Sequence, residues 1–488
     1  MRSGADYLES LRDGREVYVD GRRVDDVTLD SGFAGVIGSV ARMYDVALNM
    51  PEPMHTVDHR RGDLVLTPFA LAKTPLELAR RTESIRTWAA LSSGWLTRTP
   101  DHVAAIIGGL ASRADVFDRG DLELGANVRS WHGRLLDESL YFTYATVPPP
   151  SQLQRTLDET GIYTQVHLVS RDSGGIVVSG AQQPGAAAAI SDHIFVTCVN
   201  PLTADDSALA LSFVVPVNAP GLRVHCRRSY AQAGRSTGPL AGRFDEVDAL
   251  VVFDNVRVPW EDVFVCADVY AVREQFTRTP GFLLAKHQNL VRLGVKLEFI
   301  ATLGRQIASL KETDGSVRTR ELLGELGAIA TLAEAAVLAA EVTAEPFEET
   351  DLLCPNPRYL TAGVAQQVTA HARAVQILRD LVGGEILELP SAVSGLDSIV
   401  FEDVKRLATP RGGDYVERHG LLRLAWDVIG SEFAGRSQHF EALIGGAASV
   451  KWREAFDWFD FEPGLRAVEA RLGDREGLEG LERGGRGD

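Results

Sequence analysis

The sequence predicts an α+β protein whose three parts follow one another along the chain: a helical first part, a strand-rich middle and a helical last part. Three observations predict it. Apolar residues recur at spacings of three and four up to about residue 140. Between about 160 and 265 they fall into short β-branched and aromatic runs separated by Gly, Pro, Asp and Asn. After Gly281 the 3.6-residue period returns in long stripes. At roughly 150 residues per domain, 488 residues suit about three domains or one large enzyme subunit. With 45% apolar and 24% charged residues the composition is that of a folded globular chain, which excludes disordered and fibrous classes.

In the first part, Leu76, Leu78, Ile85, Trp88 and Ala89 share one helical stripe, and Val103, Ile106, Ile107 and Leu110 another. Thr99-Pro100-Asp101 predicts a helix start, with Thr at the N-cap, Pro where its missing N–H costs nothing, and Asp against the positive end of the dipole. Arg98 then stands just before a helix. In the middle part, the runs 163–170, 175–180, 193–199, 208–217, 222–226 and 249–258 predict six strands with no helix between them, hence an antiparallel barrel or sandwich. In the last part, Leu290, Leu293, Leu297, Ile300, Leu303 and Ile307 form one stripe. Leu322, Leu326, Ile329, Ala333, Ala336 and Val337 form a second, apolar enough to need a partner surface. A Pro-containing break over 349–360 precedes a third long helix through Val364–Leu381, and several long helices in a row predict a bundle. The expected domains are 1–145 (helical), 146–275 (β) and 276–471 (bundle), with 472–488 as a Gly- and charge-rich tail.

Lys plus Arg number 50 against 67 Asp plus Glu, and the resulting net charge of −17 repels nucleic-acid backbones and anionic lipid surfaces, so neither is an expected partner. Cys198, Cys226, Cys266 and Cys354 lie far apart with no CxxC pair, which argues against a disulfide framework and against the usual zinc or iron–sulfur spacings; no metal site is expected. The first twenty residues are charged throughout, and no uninterrupted apolar run of eighteen occurs, so the cytoplasm is the expected compartment. No GxGxxG follows a strand, and GxxxxGK[ST] and GxSxG are absent, which disfavours Rossmann, P-loop and serine-hydrolase readings. His55 and His59, four residues apart beside Pro51 and Pro53, read as a solvated loop rather than a metal pair.

Longer phrases carry more than composition. SGADYLESLRDGREVYVDGRRV (3–24), TRTPDH (97–102), VVFDNVRVPWEDVF (251–264), AKHQ (285–288), GEILELPS (384–391) and LLRLAWDVIGSEFAGRSQHFE (421–441) resemble, in order, the 4-hydroxyphenylacetate 3-monooxygenase oxygenase-component family. The resemblance implies an acyl-CoA dehydrogenase-like fold and a two-component monooxygenase. Reduced FAD (FADH2) from a separate reductase would react with molecular oxygen to a flavin C4a-hydroperoxide that hydroxylates an aromatic, phenolic substrate, free or tethered to a carrier. It also implies a homotetramer. Two alternatives stay open: oxygenation or dehydrogenation of a non-phenolic biosynthetic intermediate on the same fold, and a member that has lost flavin binding.

The same resemblance suggests site residues. Arg98 matches the arginine of the family's Arg-x-Pro-x-Tyr phrase at the substrate and flavin site. Gln152 and Arg155 match a Gln-x-x-Arg flavin contact, and Thr197 and Cys198 fall near a Ser-Thr substrate pair. His287 matches a histidine that ligates an iron–sulfur cluster in a dehydratase branch of the superfamily. No cysteines accompany it here, so it stands either beside the flavin or as a core histidine. Gly430, Ser431, Gly435, Arg436 and Gln438 match a segment that contacts flavin, across a subunit boundary, while Trp426 and Phe433 read as core. Three positions depart from the pattern. His102 stands where the family has Tyr, Tyr144 where it has His, and Ala186 where a Thr approaches the flavin ring. If the substrate is a phenol, a His near its ordinary pKa of about 6.5 predicts His102 as the base, with Tyr144 as the orienting donor.

Overall fold

The computed structural model describes residues 1–149, 164–183, 185–233, 238–348, 350–388, 402–403, 406 and 415–473. Helix α1 (Gly4–Ser10) opens on a capping box in which Ser3 and Asp6 satisfy each other's backbone N–H. The hairpin β1 (Val17–Val19) and β2 (Arg22–Val24) follows, then α2 (Ala34–Asn49), the short α3 (Pro51–Met54), the hairpin β3 (His55–Val57) and β4 (Leu64–Leu66), and α4 (Pro75–Leu91). Helix α5 (Pro100–Ser112), the hairpin β5 (Asp118–Arg119) and β6 (Leu122–Glu123), and α6 (Gly125–Glu138) complete the first helical part. Thr99 is the N-cap of α5 as the sequence predicts, but its hydroxyl does not cap; it turns to Asp101 instead.

The middle part is a sandwich of two sheets. One contains β2, β1, β12 (Leu222–Cys226), β13 (Ala249–Pro259), β9 (Gly175–Gln182) and β8 (His167–Asp172) in that order. The other runs β14 (Val263–Cys266), β11 (Leu211–Pro216), β10 (His193–Thr197), β7 (Phe142–Ala145). Phe213 of β11 meets Phe253 of β13 edge to face, ring centres 6.1 Å apart, where the two sheets close on each other. All six predicted strands form. They are not the whole sandwich, it is not wholly antiparallel, since β1 lies parallel to β12 and β7 parallel to β10, and the strands are not free of helix, since the short α7 (Ala241–Phe244) lies between β12 and β13. Strands β1, β2 and β7 come from the segment read as helical, because three- and four-residue strands are too short to show a period against flanking helices.

Beyond α8 (Val269–Thr277), the bundle is built on α9 (Gly281–Leu310), whose Leu290, Leu293, Leu297, Ile300, Leu303 and Ile307 are all buried. Helices α4, α5, α10 (Val317–Val342) and α11 (Pro357–Val382) pack along it. The second predicted stripe is covered by the chain's own helices: Leu322, Leu326 and Val337 are buried, and Leu332, Leu338 and Val342 face outward instead. By length and composition α10 is apolar enough to cross a membrane, mean hydropathy 1.7, although charged residues interrupt the run. Helices α12 (Tyr415–Ile429), α13 (Glu432–Leu443), α14 (Ala448–Asp457) and α15 (Glu462–Gly473) end the described chain; residues 474–488 of the expected tail lie outside it.

Two close approaches place the site. A Cβ on Gly109 would lie 2.4 Å from the Gly281 backbone, so only glycine lets α5 and α9 touch there. Gly94, at φ +75° and with 2.7 Å between an added Cβ and the Arg292 carbonyl oxygen, turns the chain tightly against α9 just before Arg98.

Candidate active site

Arg98 is held by its backbone. Glu246, buried in the loop before β13, accepts from Thr97 N (2.7 Å), from the Thr97 hydroxyl and from Arg98 N. The buried Tyr141 hydroxyl donates to the Arg98 carbonyl oxygen. The side chain is then aimed at β7: Nη2 donates to Tyr144 Oη at 2.6 Å, and the guanidinium carbon lies 4.4 Å from the Tyr144 ring centre and 5.0 Å from that of Phe440. Arg98 is only 3% exposed, yet Nη1 has no partner among the described residues. A buried, charged donor left free is costly, and its natural complement is an anionic oxygen.

His102, in the first turn of α5, lies with its ring centre 5.7 Å from that of Tyr144, so the exchanged His and Tyr are neighbours. Its Nδ1 is 2.9 Å from Oε1 of Gln288 on α9. Burial, reinforced by the Arg98 cation, pushes its pKa down to about 3. The ordinary value near 6.5 expected for His102 is therefore not kept: the buried imidazole is neutral at neutral pH and a weaker base than a solvated histidine. Gln288 donates through Nε2 to Thr99 Oγ1 at 2.9 Å, and the Thr99 hydroxyl donates to Asp101, whose carboxyl burial raises to about 6.

The remaining predicted residues divide. Phe195 pairs with Tyr144 in the β10–β7 register, so Thr197, two residues on, shares that face. Its hydroxyl is occupied, however, accepting from Gln275 Nε2 at 2.7 Å, and Gln275 Oε1 in turn accepts from Ser212 at 3.0 Å. Cys198 is buried, its Sγ 3.8 Å from the Asn200 carbonyl oxygen. Ala186 is buried in the turn before β10, and its carbonyl accepts from Thr143 Oγ1 at 2.5 Å, a side chain on the opposite face of β7 from Tyr144.

His287 joins a separate polar cluster between α4 and α10. Its Nδ1 is 3.2 Å from Arg81, and Nε2 is 3.2 Å from both Thr82 and Glu341. It is fully buried with both nitrogens engaged, so of the two readings the structure supports the core histidine, and Gln288 is the AKHQ residue that turns to the site. Burial lowers the His287 pKa.

In the 430–441 segment, a Cβ on Gly430 would strike the Trp426 ring at 2.2 Å, Ser431 caps α13 by accepting from Ala434 N (3.1 Å), and Gln438 donates to Ala434 O (3.2 Å). Gly435 is exposed with open space around it. Arg436 does not present a free fork to a phosphate. It donates to both oxygens of Asp248 (2.9 and 2.8 Å) and to Glu246 (3.2 Å), which raises its pKa further. Gln152 and Arg155 lie outside the described residues.

Behind the site, Glu441 of α13 accepts from Arg292 (2.7 Å) and Lys296 (2.6 Å) of α9, all three fully buried, and the ion pairs hold the Glu441 carboxyl well below its usual range. The sequence reading missed Gln288, Glu246 and Phe440. Gln288, Arg292 and Lys296 recur every four residues along α9, a polar stripe beside the apolar one that signals a buried network. Asp245, Glu246 and Asp248, crowded before a strand, carry a similar signal, whereas Phe440 carries none.

A helical domain, a β-sandwich and a helical bundle, with a buried cation and two rings converging between them, form the acyl-CoA dehydrogenase-like fold. At the level of fold alone, a 4-hydroxybutyryl-CoA dehydratase from N. maritimus superposes with a TM-score of 0.84 at 18% identity, over all of this chain and 96% of that one. The family model for the 4-hydroxyphenylacetate 3-hydroxylase N terminal matches residues 3–265 and that for its C terminal residues 272–473, and the chain belongs to this family. It is 34% identical over 464 residues to the 4-hydroxyphenylacetate 3-monooxygenase oxygenase component of Klebsiella oxytoca, covering 91% of this chain and 86% of the relative. It is 33% identical, covering 91% and 85%, to a Streptomyces globisporus monooxygenase of a (3S)-3-amino-3-(3-chloro-4-hydroxyphenyl)propanoyl group on a peptidyl carrier protein. The structure of a 4-hydroxyphenylacetate 3-monooxygenase oxygenase component complexed with FAD and 4-hydroxyphenylacetate superposes with a TM-score of 0.90 at 26% identity, over 98% of this chain and all of that one. The chain is thus a flavin-dependent monooxygenase that uses FAD and molecular oxygen, the oxygenase component of a system with a separate reductase.

Proposed function

We propose that this enzyme hydroxylates a phenolic ring beside its hydroxyl group, with the phenol oxygen seated on Arg98. The observation that carries this reading is the buried Arg98 guanidinium, one nitrogen on the Tyr144 hydroxyl and the other free. Reduced FAD, diffusing from the reductase, supplies two electrons, and dioxygen supplies one atom to the ring and one to water. Arg98 places a permanent charge at the phenol oxygen and stabilises the negative charge that develops there during reaction, and Tyr144 donates or orients from the same wall. His102 stays neutral and contributes a hydrogen bond rather than a charge. A flavin would be held by Gln152, Arg155, Gly430, Ser431, Gly435 and Gln438, with the exposed Gly435 leaving room for close approach, whereas Arg436 would act by steadying Asp248 and Glu246.

Relatives act on both free and carrier-bound phenols, and the Streptomyces globisporus enzyme supports a tethered substrate as readily as a free one. We infer a homotetramer: Leu332, Leu338 and Val342 on α10, and Trp452, Phe456, Trp458, Phe459 and Phe461 in and after α14, are exposed in the single chain and are apolar residues that further copies would cover. Four buried free cysteines suit the reducing cytoplasm. A non-phenolic substrate is the second reading, favoured by the weak basicity of His102. Incubation with reduced FAD, oxygen and candidate phenols, followed by product mass, decides between them. Gain of one oxygen supports hydroxylation, loss of two hydrogens supports dehydrogenation, and flavin oxidation with no product from any phenol overturns the phenolic reading.

A further inference from the structure

We propose that Gln288 is a positioning residue that, with Thr99 and Asp101 behind it, fixes His102 as its Nδ1-protonated tautomer and leaves Nε2 a bare acceptor for an O–H or N–H group of the bound ligand. The polarity follows from the far end of the chain of hydrogen bonds. Above about pH 6 the Asp101 carboxyl is ionised and can only accept, so there the Thr99 hydroxyl gives it its single proton. Thr99 Oγ1 then has only lone pairs left, and the group 2.9 Å away on Gln288 must be its amide nitrogen, which also lies 3.4 Å from Asp101 Oδ1. Reversing the amide would set Oε1 against an oxygen with no proton to give and against a carboxylate. Gln288 Oε1 therefore faces His102 Nδ1 at 2.9 Å and must receive a proton from it. Since His102 is neutral, Nε2 carries none, and it has no partner among the described residues.

A tyrosine in the same place would offer a hydroxyl that both donates and accepts. This histidine, so oriented, only accepts. A phenol whose oxygen accepts from Arg98 while its O–H donates to Nε2 satisfies both; that assignment of the ligand rests on the phenolic reading, but the tautomer does not.

The test is the solid-state 15N spectrum of the ligand-free, full-length enzyme labelled at histidine, above the Asp101 value of about 6, with His102 assigned by difference from His102→Asn. The Nδ1–H pattern is expected in the wild type. Gln288→Met should give a mixture of tautomers, and Asp101→Asn, whose amide can donate back along the chain, should move the signal toward Nε2–H; Thr99→Val serves as the middle break if Asp101→Asn does not fold. Turnover of an accepted phenol should fall on the order of tenfold or more in Gln288→Met with flavin affinity unchanged. An Nε2–H pattern in the wild type, or an Nδ1–H pattern unmoved by every variant, overturns the proposal. A correct tautomer in an enzyme that hydroxylates no phenol would instead count against the phenolic reading alone.

Discussion

Replacing Arg98 by alanine separates chemistry from stability in this enzyme. The substitution removes one charged donor from the site, and a single preorganised donor of this kind contributes about 2.7–4 kcal/mol to the transition state, or about 10²–10³ in kcat. The effect on folding should be small because opposing effects nearly cancel. Lost are a charged hydrogen bond to Tyr144, about 1.5–3 kcal/mol, and two cation–π contacts at 4.4 and 5.0 Å, about 0.5–2 kcal/mol each. Relieved is the desolvation of a guanidinium with Nη1 unpartnered, several kcal/mol for a buried ion. The backbone anchors to Glu246 and Tyr141 do not involve the side chain and stay. Single-turnover hydroxylation with prereduced FAD, read beside a thermal melt, measures both quantities. The expected result is a loss of about 10²–10³ in rate with a Tm within a few degrees of wild type. Arg98→Lys should recover only part of the rate, since an ammonium supplies the charge without the planar fork. Unchanged turnover in a folded Arg98→Ala protein would refute the reasoning, as would a rate loss fully accounted for by unfolding.

Arg436→Ala should act mainly on stability, costing about 3–5 kcal/mol by stripping Asp248 and Glu246 of a buried partner; a thermal melt near wild type with weakened FAD binding would return Arg436 to the flavin. Glu441→Gln should cost a similar amount by leaving Arg292 and Lys296 without a carboxylate. Because the folded pKa of Glu441 is depressed, its contribution is fully present above its unfolded value of about 4.3 and is lost as pH falls through the lower folded value, so acid titration of stability should be flatter in the variant. His102 is likewise depressed, to about 3, so the stability linked to it is complete above about 6.5 and erodes from there down toward 3. His102→Asn should remove that slope, and the rate profile should show no wild-type limb near 6.5 that this substitution abolishes. Gly109→Ala should destabilise by about 1–3 kcal/mol, because its Cβ would sit 2.4 Å from the Gly281 backbone and force α5 off α9, a shift read directly as a lowered Tm.

Long-period features were legible in the sequence because burial repeats many times along them. The α9 stripe from Leu290 to Ile307, the named strands and the helix start at Thr99 are local or periodic facts, and the structure has each of them, with β8 displaced from the expected 163–170 to His167–Asp172. The family phrases likewise pointed to Arg98, His102 and Tyr144, whose side chains adjoin in the structure. What the sequence could not express are properties that depend on who lies across the gap. Nothing in AKHQ says that His287 turns to Arg81 and Glu341 while Gln288 turns to His102; the 100° between neighbours on a helix decides it, and only packing against α4 and α5 sets the phase. Arg436 reads as a phosphate ligand until Asp248, 188 residues away in sequence, takes both arms of its fork. The basicity of His102 belongs to the fold for the same reason. An imidazole has one pKa in water, and here the loss of that water and the nearness of Arg98, both products of tertiary packing, hold it neutral.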